Sequence, residues 1–395
     1  MDYLVRAKEL LDDMVSNRRY LHQHPEIEFK LDNTVSFVKD KLKSYGIEAQ
    51  DIGDHGVTAV LGDPSGKTYL LRADMDALPI QEATGLDYAS KNQYMHACGH
   101  DIHTSMLLAA AKMLKENEAN LKGQVKFIFQ PAEELLVGGD AMIKAGILEN
   151  PKVDAASGLH VVPNMPISGV MPGKNIGAAG AINFDIVVKG EGSHGASPVD
   201  GKDPVLAASQ IVIGVQSMLT REIPHTRSAT LTIGKFIAEG SYNVIPGKAE
   251  LAGTIRFHNN ETRDYIAERF PQLVKAIAQA YRCEAEVSFK CNCPTLVNDP
   301  AVADAANTYI RELSDNGQRF KYIPNPGTSL SGGSEDFAHY TYYVPSTFFY
   351  LFCPPKGVEK PKAVHHPEVQ FDEDMMPVGA AALATIATRW LADNR

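Results

Sequence analysis

The sequence predicts an α/β protein with a mostly parallel sheet, into which a second, smaller domain is inserted. In the first part of the chain, short apolar strands alternate with amphipathic helices, which is typical of a parallel sheet flanked by helices. Between residues 182 and 289 the predicted order becomes β-α-β-β-α-β, the split βαβ pattern of a ferredoxin-like domain. After Pro294 the alternation of helix and strand resumes. We therefore expect one domain formed by residues 1–180 and 294–395, and an inserted domain formed by residues 181–293.

The first domain is predicted from apolar periodicity. Apolar side chains recur at three- and four-residue steps over residues 3–22, which predicts a helix, and a second helix over residues 33–45 ends at Gly46. Compact apolar runs predict strands at 56–61, 67–73, 124–129 and 155–161. Amphipathic patterns predict helices at 101–116 and 139–145.

The inserted domain and the end of the chain follow by the same reasoning. Alternating patterns predict strands at 182–189, 229–237, 248–257 and 284–289, and helices at 204–221 and 261–282. The last part of the chain is predicted to contain a helix over 301–313, a strand over 347–351 and an alanine-rich helix over 378–392.

Length, composition and charge limit the class of protein. With 395 residues, 44% of them hydrophobic and 22% charged, the chain has the composition of a globular protein of two domains. A formal net charge of −10 argues against nucleic acid or an anionic membrane as a partner, because both require basic patches. Residues 1–10 contain no apolar run that predicts a secretory signal, and the apolar stretch 177–181 is too short to span a bilayer.

The cysteines predict the compartment. The chain contains five of them, an odd number with no spacing that suggests a disulfide framework, so we expect a cytoplasmic location. Cys291 and Cys293 could form a metal or redox pair, but no second pair of matching spacing accompanies them. We therefore interpret them as cysteines at the end of a strand.

Candidate metal ligands surround a glycine in the middle of the first domain. Cys98 and His100 are separated by Gly99, which lets the backbone bend so that both side chains can face one point. A thiolate and an imidazole together favour Zn²⁺ or another late divalent ion. The alternative is a buried free cysteine next to a histidine at the start of a helix.

An adjacent carboxylate pair and distant histidines support the metal interpretation. Glu133 and Glu134 follow a buried strand; acids at a helix start are common, yet here one could bind a metal while the other accepts a proton from water. His160 ends another strand. His365 and His366 precede Pro367, and on chemistry alone either could be a ligand. Because sites in α/β sheets form outside the carboxyl ends of strands, we expect these groups to lie together.

The inserted domain carries three further candidates. His194 lies in a glycine-rich loop, which suits a group that arrives when a lid closes. Asn243 and Arg256 could bind the carbonyl or carboxylate of a substrate, since a guanidinium at a strand end can donate two hydrogen bonds to a carboxylate. The alternative for Arg256 is a solvated surface charge.

These motifs resemble the amidohydrolase branch of the metallopeptidase M20 family. That branch contains aminoacylases, hippurate hydrolases, plant auxin-amino-acid conjugate hydrolases and aminobenzoyl-glutamate hydrolase. The matching stretches follow one another over nearly the whole chain, at residues 18–26, 71–79, 95–103, 129–134, 158–160, 193–198 and 243–246.

The resemblance implies a fold, a cofactor and a ligand set. The fold would be a metal-dependent exopeptidase-type sheet with an inserted lid, and each subunit would bind two divalent ions, Mn²⁺, Zn²⁺ or Co²⁺. Cys98 would bridge the two ions as a thiolate. The remaining ligands would be Glu134 and His365 for one ion, and His100 and His160 for the other.

The resemblance also implies roles for residues that do not bind metal. Glu133 would be the general base, and Asp74 would orient His100. His194 would stabilise the oxyanion, often from a neighbouring subunit, and the chain would form a homodimer or higher homo-oligomer through the lid. Members of this branch usually have Asn or Ser after the last ligand histidine, whereas this chain has His366, so the choice between the two histidines stays open.

The predicted function is metal-dependent hydrolysis of the amide bond of an N-acyl or N-aroyl amino acid, or of a small dipeptide-like substrate. One alternative is a metal-dependent carboxypeptidase or dipeptidase that acts on short peptides. A second is a non-catalytic binding homologue, which should have lost the base or a ligand. A third is a metal-independent cysteine hydrolase that uses Cys98. The sequence determines neither the acyl group, nor the native metal, nor the size of the oligomer.

Overall fold

The structure is a computed structural model, and it describes residues 1–327 and 332–395. The described residues form two compact units. The first contains residues 1–177, 297–327 and 339–395, and the second contains residues 178–296 and 332–338. Residues 332–338, which we predicted to be part of the first domain, thus group with the insertion.

The chain begins with helices α1 (Tyr3–Glu9), α2 (Leu11–Gln23) and α3 (Asp32–Ser44). The prediction of one helix over residues 3–22 was wrong at Leu10. There ψ is 6°, and the Leu10 N–H donates to the carbonyls of Ala7 and Lys8, which closes α1 before α2 begins. Asp2 caps the start of α1 by accepting hydrogen bonds from two backbone N–H groups.

The remaining elements of the first segment are short strands and two helices. In chain order they are β1 (Ala49–Ile52), β2 (Gly56–Gly62), β3 (Thr68–Asp74), α4 (His100–Glu116), β4 (Gln124–Gln130), α5 (Gly138–Lys144), β5 (Ala155–Val162), β6 (Gly169–Met171) and β7 (Ile176–Ala178). Each predicted strand is present, and β1 and β6 are additional edge strands that carry too few apolar residues to be predicted.

The inserted segment contains the predicted four strands and two helices, with one additional two-stranded sheet formed by β9 and β11. Its elements are β8 (Gly180–Lys189), β9 (Ser193–His194), α6 (Pro204–Arg221), β10 (Ala229–Ile237), β11 (Val244–Ile245), β12 (Lys248–Phe257), α7 (Asn260–Ala280) and β13 (Glu284–Cys293). The last part of the chain adds β14 (Leu296–Val297), α8 (Pro300–Leu313), α9 (Ala338–Tyr343), β15 (Ser346–Phe352) and α10 (Met376–Asp393).

The sheet of the first unit has the strand order β1-β2-β4-β3-β5-β15-β6. Its centre is parallel, because β3 pairs with β4 and β5, and β5 pairs with β15, all in parallel. The outer pairs are antiparallel. Every residue of β3 is buried, as expected for a strand covered on both faces. The carboxyl ends of β3, β4 and β5 therefore meet at one edge.

Two helices form much of the core of the first unit. Most residues of α4 are buried, and α10 packs against α4 and α8. Residues Glu373–Asp393 are long and apolar enough to cross a membrane by length and composition alone, but 72% of the most apolar stretch is buried inside the protein. That burial is what a core helix of a folded domain shows.

The sheet of the second unit is antiparallel, with the strand order β10-β12-β8-β13. Helices α6 and α7 pack against it and against each other. The inward-facing residues of β8 alternate with exposed ones, so the apolar set, which includes Ile182, Phe184 and Ile186, faces the helices. This connectivity and strand order are those of a ferredoxin-like domain.

Strand β13 is longer than predicted and passes a bulge between Phe289 and Cys291. Its two cysteines are buried. The Cys291 thiol lies 3.8 Å from the Ala181 carbonyl, and the Cys293 thiol lies 3.6 Å from the carbonyl of Glu335. They are therefore packed residues of a strand, as we interpreted them, and the two side chains have separate partners.

Candidate metal centre

The carboxyl ends of three parallel strands bring the candidate ligands together. Asp74 is the last residue of β3 and aligns with Gln130, the last residue of β4. The chain after β4 turns sharply at Ala132, whose φ is 56°, and then presents Glu133 and Glu134. His160 lies near the end of β5. All of these groups are in the first unit.

A left-handed glycine starts the helix that carries the next ligands. Gly99 has φ of 85°, a conformation that other residues adopt only with strain. A Cβ at this position would also lie 2.4 Å from Cγ2 of Val161. Glycine is therefore required here for two reasons, and it lets Cys98 and His100 face one region.

One half of the centre is formed by Cys98, His100 and His160. Their potential ligand atoms all lie within 4.8 Å of one another. The Cys98 Sγ is 3.2 Å from Nε2 of His160. His100 is fully buried, while His160 is partly exposed. A thiolate and two imidazoles at this spacing can bind one late divalent ion.

The other half is formed by Cys98, Glu134 and His365, whose potential ligand atoms also lie within 4.8 Å of one another. Nε2 of His365 is 3.4 Å from Oε2 of Glu134. The His365 side chain is 51% exposed and that of Glu134 is 11% exposed. Because Cys98 belongs to both sets, its sulfur is placed to bridge two ions.

Glu133 lies beside both sets. A carboxylate oxygen of Glu133 lies within 4.8 Å of potential ligand atoms of His100 and Glu134. Its Oε2 is 3.9 Å from Nε2 of His100. That distance is too long for a hydrogen bond but suits two groups that face the same small space. A carboxylate here can accept a proton from a water molecule in that space.

Hydrogen bonds fix the tautomers of His100 and His160. Nδ1 of His100 is 2.7 Å from the Asp76 carbonyl, and Nδ1 of His160 is 2.6 Å from the Val161 carbonyl. A carbonyl can only accept, so Nδ1 carries the hydrogen in both rings. In the neutral ring, Nε2 is then left with a lone pair directed at the candidate ligand sites.

The protonation of these groups is strongly perturbed. Burial lowers the pKa of His160 to about 3, and the neighbouring His103 ring acts in the same direction. Burial and the charge of Glu134 raise the pKa of Cys98 well above its usual value. Burial would lower the pKa of His100, but Asp74 and Asp76 outweigh it and raise that pKa well above the ordinary value. Perturbed groups clustered at strand ends are typical of a functional site.

Two buried atoms test whether metal ions fit. Nε2 of His100 and Oε1 of Glu134 are both buried, have no hydrogen-bond partner among the described residues and lie 3.8 Å apart. Such groups are costly to bury unless something pairs with them. Two divalent ions would satisfy both atoms, so the donor set fits a dinuclear centre.

The structure corrects the predicted partner of Asp74. Its Oδ1 is 2.6 Å from Nδ1 of His103, and its Oδ2 accepts from Nη1 of Arg72 at 2.5 Å. His100 Nε2 lies 3.7 Å away from Asp74, too far for a hydrogen bond. Asp74 therefore orients His103. The Val161 N–H donates to the other His103 nitrogen at 2.9 Å, so both ring nitrogens are occupied within the protein and the role of His103 is structural.

Asp76 is the residue that the sequence analysis missed. Its backbone carbonyl holds His100, and its carboxylate accepts the N–H groups of Glu133 at 2.9 Å and of Glu134 at 3.1 Å. One residue thus positions the candidate ligand His100 and the candidate base Glu133. Its place two residues after Asp74 was visible, but a backbone carbonyl leaves no signal in the sequence.

The structure distinguishes the two adjacent histidines. His365 has φ of 66°, its N–H donates to the Ala97 carbonyl at 2.9 Å, and its ring reaches Glu134. Nδ1 of His366 instead accepts from the N–H of Glu368 at 3.1 Å, within its own turn. His365 is the one that lies with the other candidate ligands.

The three candidates in the insertion lie in the second unit. His194 is exposed in β9, which pairs with β11, and its Nδ1 accepts from the Ala196 N–H at 3.0 Å. Asn243 is exposed, and its carbonyl accepts from the Gly195 N–H, so it neighbours the His194 loop. Arg256 is half-buried in β12 and donates to the Ser334 hydroxyl.

Two other histidines, His24 and His96, have different environments. Nδ1 of His24 is 2.7 Å from the Tyr20 carbonyl. His96 is buried, and neither ring nitrogen has a partner among the described residues. Burial lowers the pKa of His96 to about 3, so its ring is neutral in the folded protein.

Known proteins are similar to this chain over nearly its whole length. Residues 70–389 match the model of peptidase family M20/M25/M40. An N-acetyl-L-cysteine deacetylase from Bacillus subtilis is 35% identical over 99% of this chain and 91% of its own length. The IAA-amino acid hydrolase ILR1-like 4 of Arabidopsis thaliana is 34% identical over 98% of this chain and 88% of its own length.

Solved structures also resemble this chain over nearly its whole length. A protein from methicillin-resistant Staphylococcus aureus superposes with a TM-score of 0.89 at 32% identity, covering 99% of both chains. A Bacillus subtilis protein described as a dinuclear metal binding peptidase from the M20 family superposes with a TM-score of 0.78 at 33% identity, covering 98% of this chain and 99% of that one. From its fold, its donor set and these similarities, the chain belongs to peptidase family M20/M25/M40 and is a metal-dependent amidohydrolase.

Proposed function

We propose that the protein hydrolyses the amide bond of N-acyl or N-aroyl amino acids at a dinuclear metal centre. The observation that carries this proposal is a pair of buried atoms, Nε2 of His100 and Oε1 of Glu134, that have no hydrogen bond among the described residues and lie within one cluster of five donors. The ligands would be Glu134 and His365 for one ion, His100 and His160 for the other, with Cys98 shared between them.

The metal ions and the protein side chains would have different roles in the reaction. Two divalent ions bound there would polarise the amide carbonyl and lower the pKa of a water molecule. Glu133 accepts the proton of the attacking water and then delivers it to the leaving amine. The hydrogen bond from the Glu133 N–H to Asp76 holds the Glu133 backbone in place during both proton transfers. His194 is proposed as the donor to the oxyanion, and Asn243 and Arg256 as groups that bind the substrate.

The names of the relatives support the substrate class. Two Bacillus subtilis proteins, each 35% identical, are named as deacetylases of N-acetylcysteine, and the Arabidopsis relatives are named as hydrolases of IAA-amino acids. Both activities cleave an amide between an acyl group and an amino acid. The same chemistry at Glu133 would serve this chain.

A carboxypeptidase activity is the second candidate. A Saccharolobus solfataricus protein named thermostable carboxypeptidase 1 is 33% identical over 97% of this chain. Cleavage of a peptide bond next to a terminal carboxylate needs the same base and ions, so only the substrate distinguishes the two activities.

The test is a substrate panel with controlled metal content. Protein freed of metal by a chelator should be inactive, and added Mn²⁺, Co²⁺ or Zn²⁺ should restore hydrolysis. N-acetyl, benzoyl and indole-acetyl amino acids are assayed beside blocked dipeptides. Full activity of verified metal-free protein would contradict the mechanism, and hydrolysis of dipeptides alone would favour the carboxypeptidase.

We also propose that the protein forms a homodimer through the second unit. Strand β10 is at the edge of its sheet, and the neighbouring helix α6 is in contact with it. Apolar side chains are exposed on both: Phe236 is 42% and Ile237 41% exposed on β10, and Ile213 is 66% exposed on α6. Sedimentation of Ile213→Lys and wild-type protein tests this, since a charge in the interface should give monomers.

A further inference from the structure

A buried ionic cluster adjoins the first turn of α4 and has no part in the proposed reaction. Asp101, the residue after His100, is fully buried. Its Oδ2 lies 2.9 Å from Nε of Arg18 and 2.8 Å from Nδ1 of His22, both on α2. These contacts attach helix α2 to Asp101, the residue that follows the candidate ligand His100. An acid this deeply buried requires such partners.

His22 connects this acid to a second one. Its Nε2 is 3.2 Å from Oε1 of Glu82, and the two side chains are only 1% and 2% exposed. Burial alone would lower the pKa of His22, but the carboxylates of Asp101 and Glu82 reverse this and raise it. Glu82 in turn accepts the N–H of Ser90 at 2.6 Å and the hydroxyl of Thr84. The His22 imidazole is therefore one of the contacts that hold the loop after Pro79, beside the backbone hydrogen bond from Lys91 to Gln23.

The same loop holds the segment that carries His365. The N–H of Ala83, next to Glu82, donates to the carbonyl of Pro367 at 2.8 Å. Pro367 is two residues after His365. The His365 ring is half exposed, so packing around the ring contributes little to its position. Its position is set by the backbone, through its own N–H to Ala97 and through the hydrogen bond at Pro367.

We infer that His22 is a positioning residue for His365. The ring of His22 fixes Glu82, Glu82 fixes the loop, and the Ala83 N–H then fixes the Pro367 carbonyl. Loss of His22 should let this loop move and should carry His365 away from its place. The inference rests on the proposed function, because His365 matters in this way only if it binds a metal ion.

The opposite half of the centre has its own support. His100 is held by the Asp76 carbonyl and His160 by the Val161 carbonyl, and neither bond involves the loop. Asp101, which follows His100, keeps its ion pair with Arg18 when His22 is lost, so the effect of losing His22 should be selective. One ion should be held almost as in the wild type, and the other, which depends on His365, should be held more weakly.

The experiment is a titration of metal-free full-length protein with Co²⁺, followed by calorimetry and by the thiolate-to-cobalt absorption of Cys98. The wild type should bind two ions. His22→Leu should bind one ion with near wild-type affinity and the second more weakly by up to about tenfold, the lower end of the range for partners that bond a metal ligand directly. His24→Leu is the matched control: it removes the same ring two residues away, where it contacts the exposed Tyr20, and should change neither affinity.

A second variant keeps the test decisive if His22→Leu does not fold. Glu82→Gln preserves the shape of the side chain, removes the charge that faces His22 and should give the same selective loss. If the wild type binds no pair of ions, the proposed function fails. If the wild type binds two ions but these variants bind both as tightly, or lose both equally, the positioning role of His22 is overturned.

Discussion

The candidate residues of the two units differ in how firmly the protein holds them. In the first unit, His100 and Glu133 are buried, and each is fixed by a hydrogen bond to Asp76. In the second unit, His194 and Asn243 are exposed at a short two-stranded sheet formed by β9 and β11. The first arrangement would suit a rigid receptor for ions. The second suits groups that move to meet a substrate, so changes in the two units should have separable effects.

Glu133→Gln should give the largest effect. The amide retains the shape of the side chain and the N–H bond to Asp76 but cannot accept a proton, so turnover should fall about 10²–10⁴-fold. Both ions should remain bound, because Glu133 is outside the proposed ligand set. Turnover is measured beside the metal content of the same sample. Near-normal turnover with metal bound would mean that another group is the base.

His194→Ala tests the second unit. If this ring donates to the oxyanion, the turnover number should fall about 10²–10³-fold while the Michaelis constant changes little, because the interaction acts mainly in the transition state. Metal content should be unchanged. Mixing this variant with Glu133→Gln protein asks whether the ring comes from a partner subunit, since hybrid dimers would then regain activity. An unchanged turnover number would remove His194 from the mechanism.

His365→Ala examines the exception in the first unit, a candidate ligand that is half exposed. Its loss should weaken binding of one ion by at least about tenfold, the lower end of what even a lost outer-shell partner costs. His366→Ala is the matched control, since that ring bonds within its own turn. Metal analysis after dialysis at a fixed free concentration compares them. The reverse ranking would assign the ligand to His366.

The smallest expected effect concerns pH and the buried His96. The unfolded chain binds a proton at this ring near pH 6.5, whereas burial lowers the pKa to about 3 in the folded protein. Acidification from pH 6.5 therefore favours the unfolded state, by at most about 1.4 kcal/mol per pH unit. In urea unfolding of the metal-free protein, His96→Leu should lose less stability than the wild type between pH 6.5 and 5. Equal losses would show that the ring is protonated in the folded state.

The sequence predicted the architecture well because that information is local. The apolar run of β4 and the alternation of β8 each determine an element and its buried face. The break at Leu10 was missed, because the apolar periodicity continues through the turn that separates α1 from α2. The short pairing of β9 with β11 was also missed, since two-residue strands show no periodicity.

The sequence motifs selected candidate ligands that the structure brings together, but not the groups that hold them in place. Motifs pointed to Cys98 and Glu134 because metal ligands are side chains of particular types. The role of Asp76 depends on a carbonyl oxygen, and the choice of His365 depends on its backbone, with φ of 66°. Asp74 was given the wrong partner because His100 and His103 lie one helical turn apart. These distinctions depend on tertiary geometry, which the sequence pattern does not determine.

The raised pKa values of Cys98 and His100 have a consequence for how the protein acquires its ions. If both groups bind the proposed ions, each ion would displace protons that the metal-free protein retains. Loading would then be an exchange of protons for metal, and its extent would depend on pH. Mildly alkaline buffer should favour the loaded form. Acidic buffer should favour release of the ions, so the metal content of a sample should depend on the pH at which it was last dialysed.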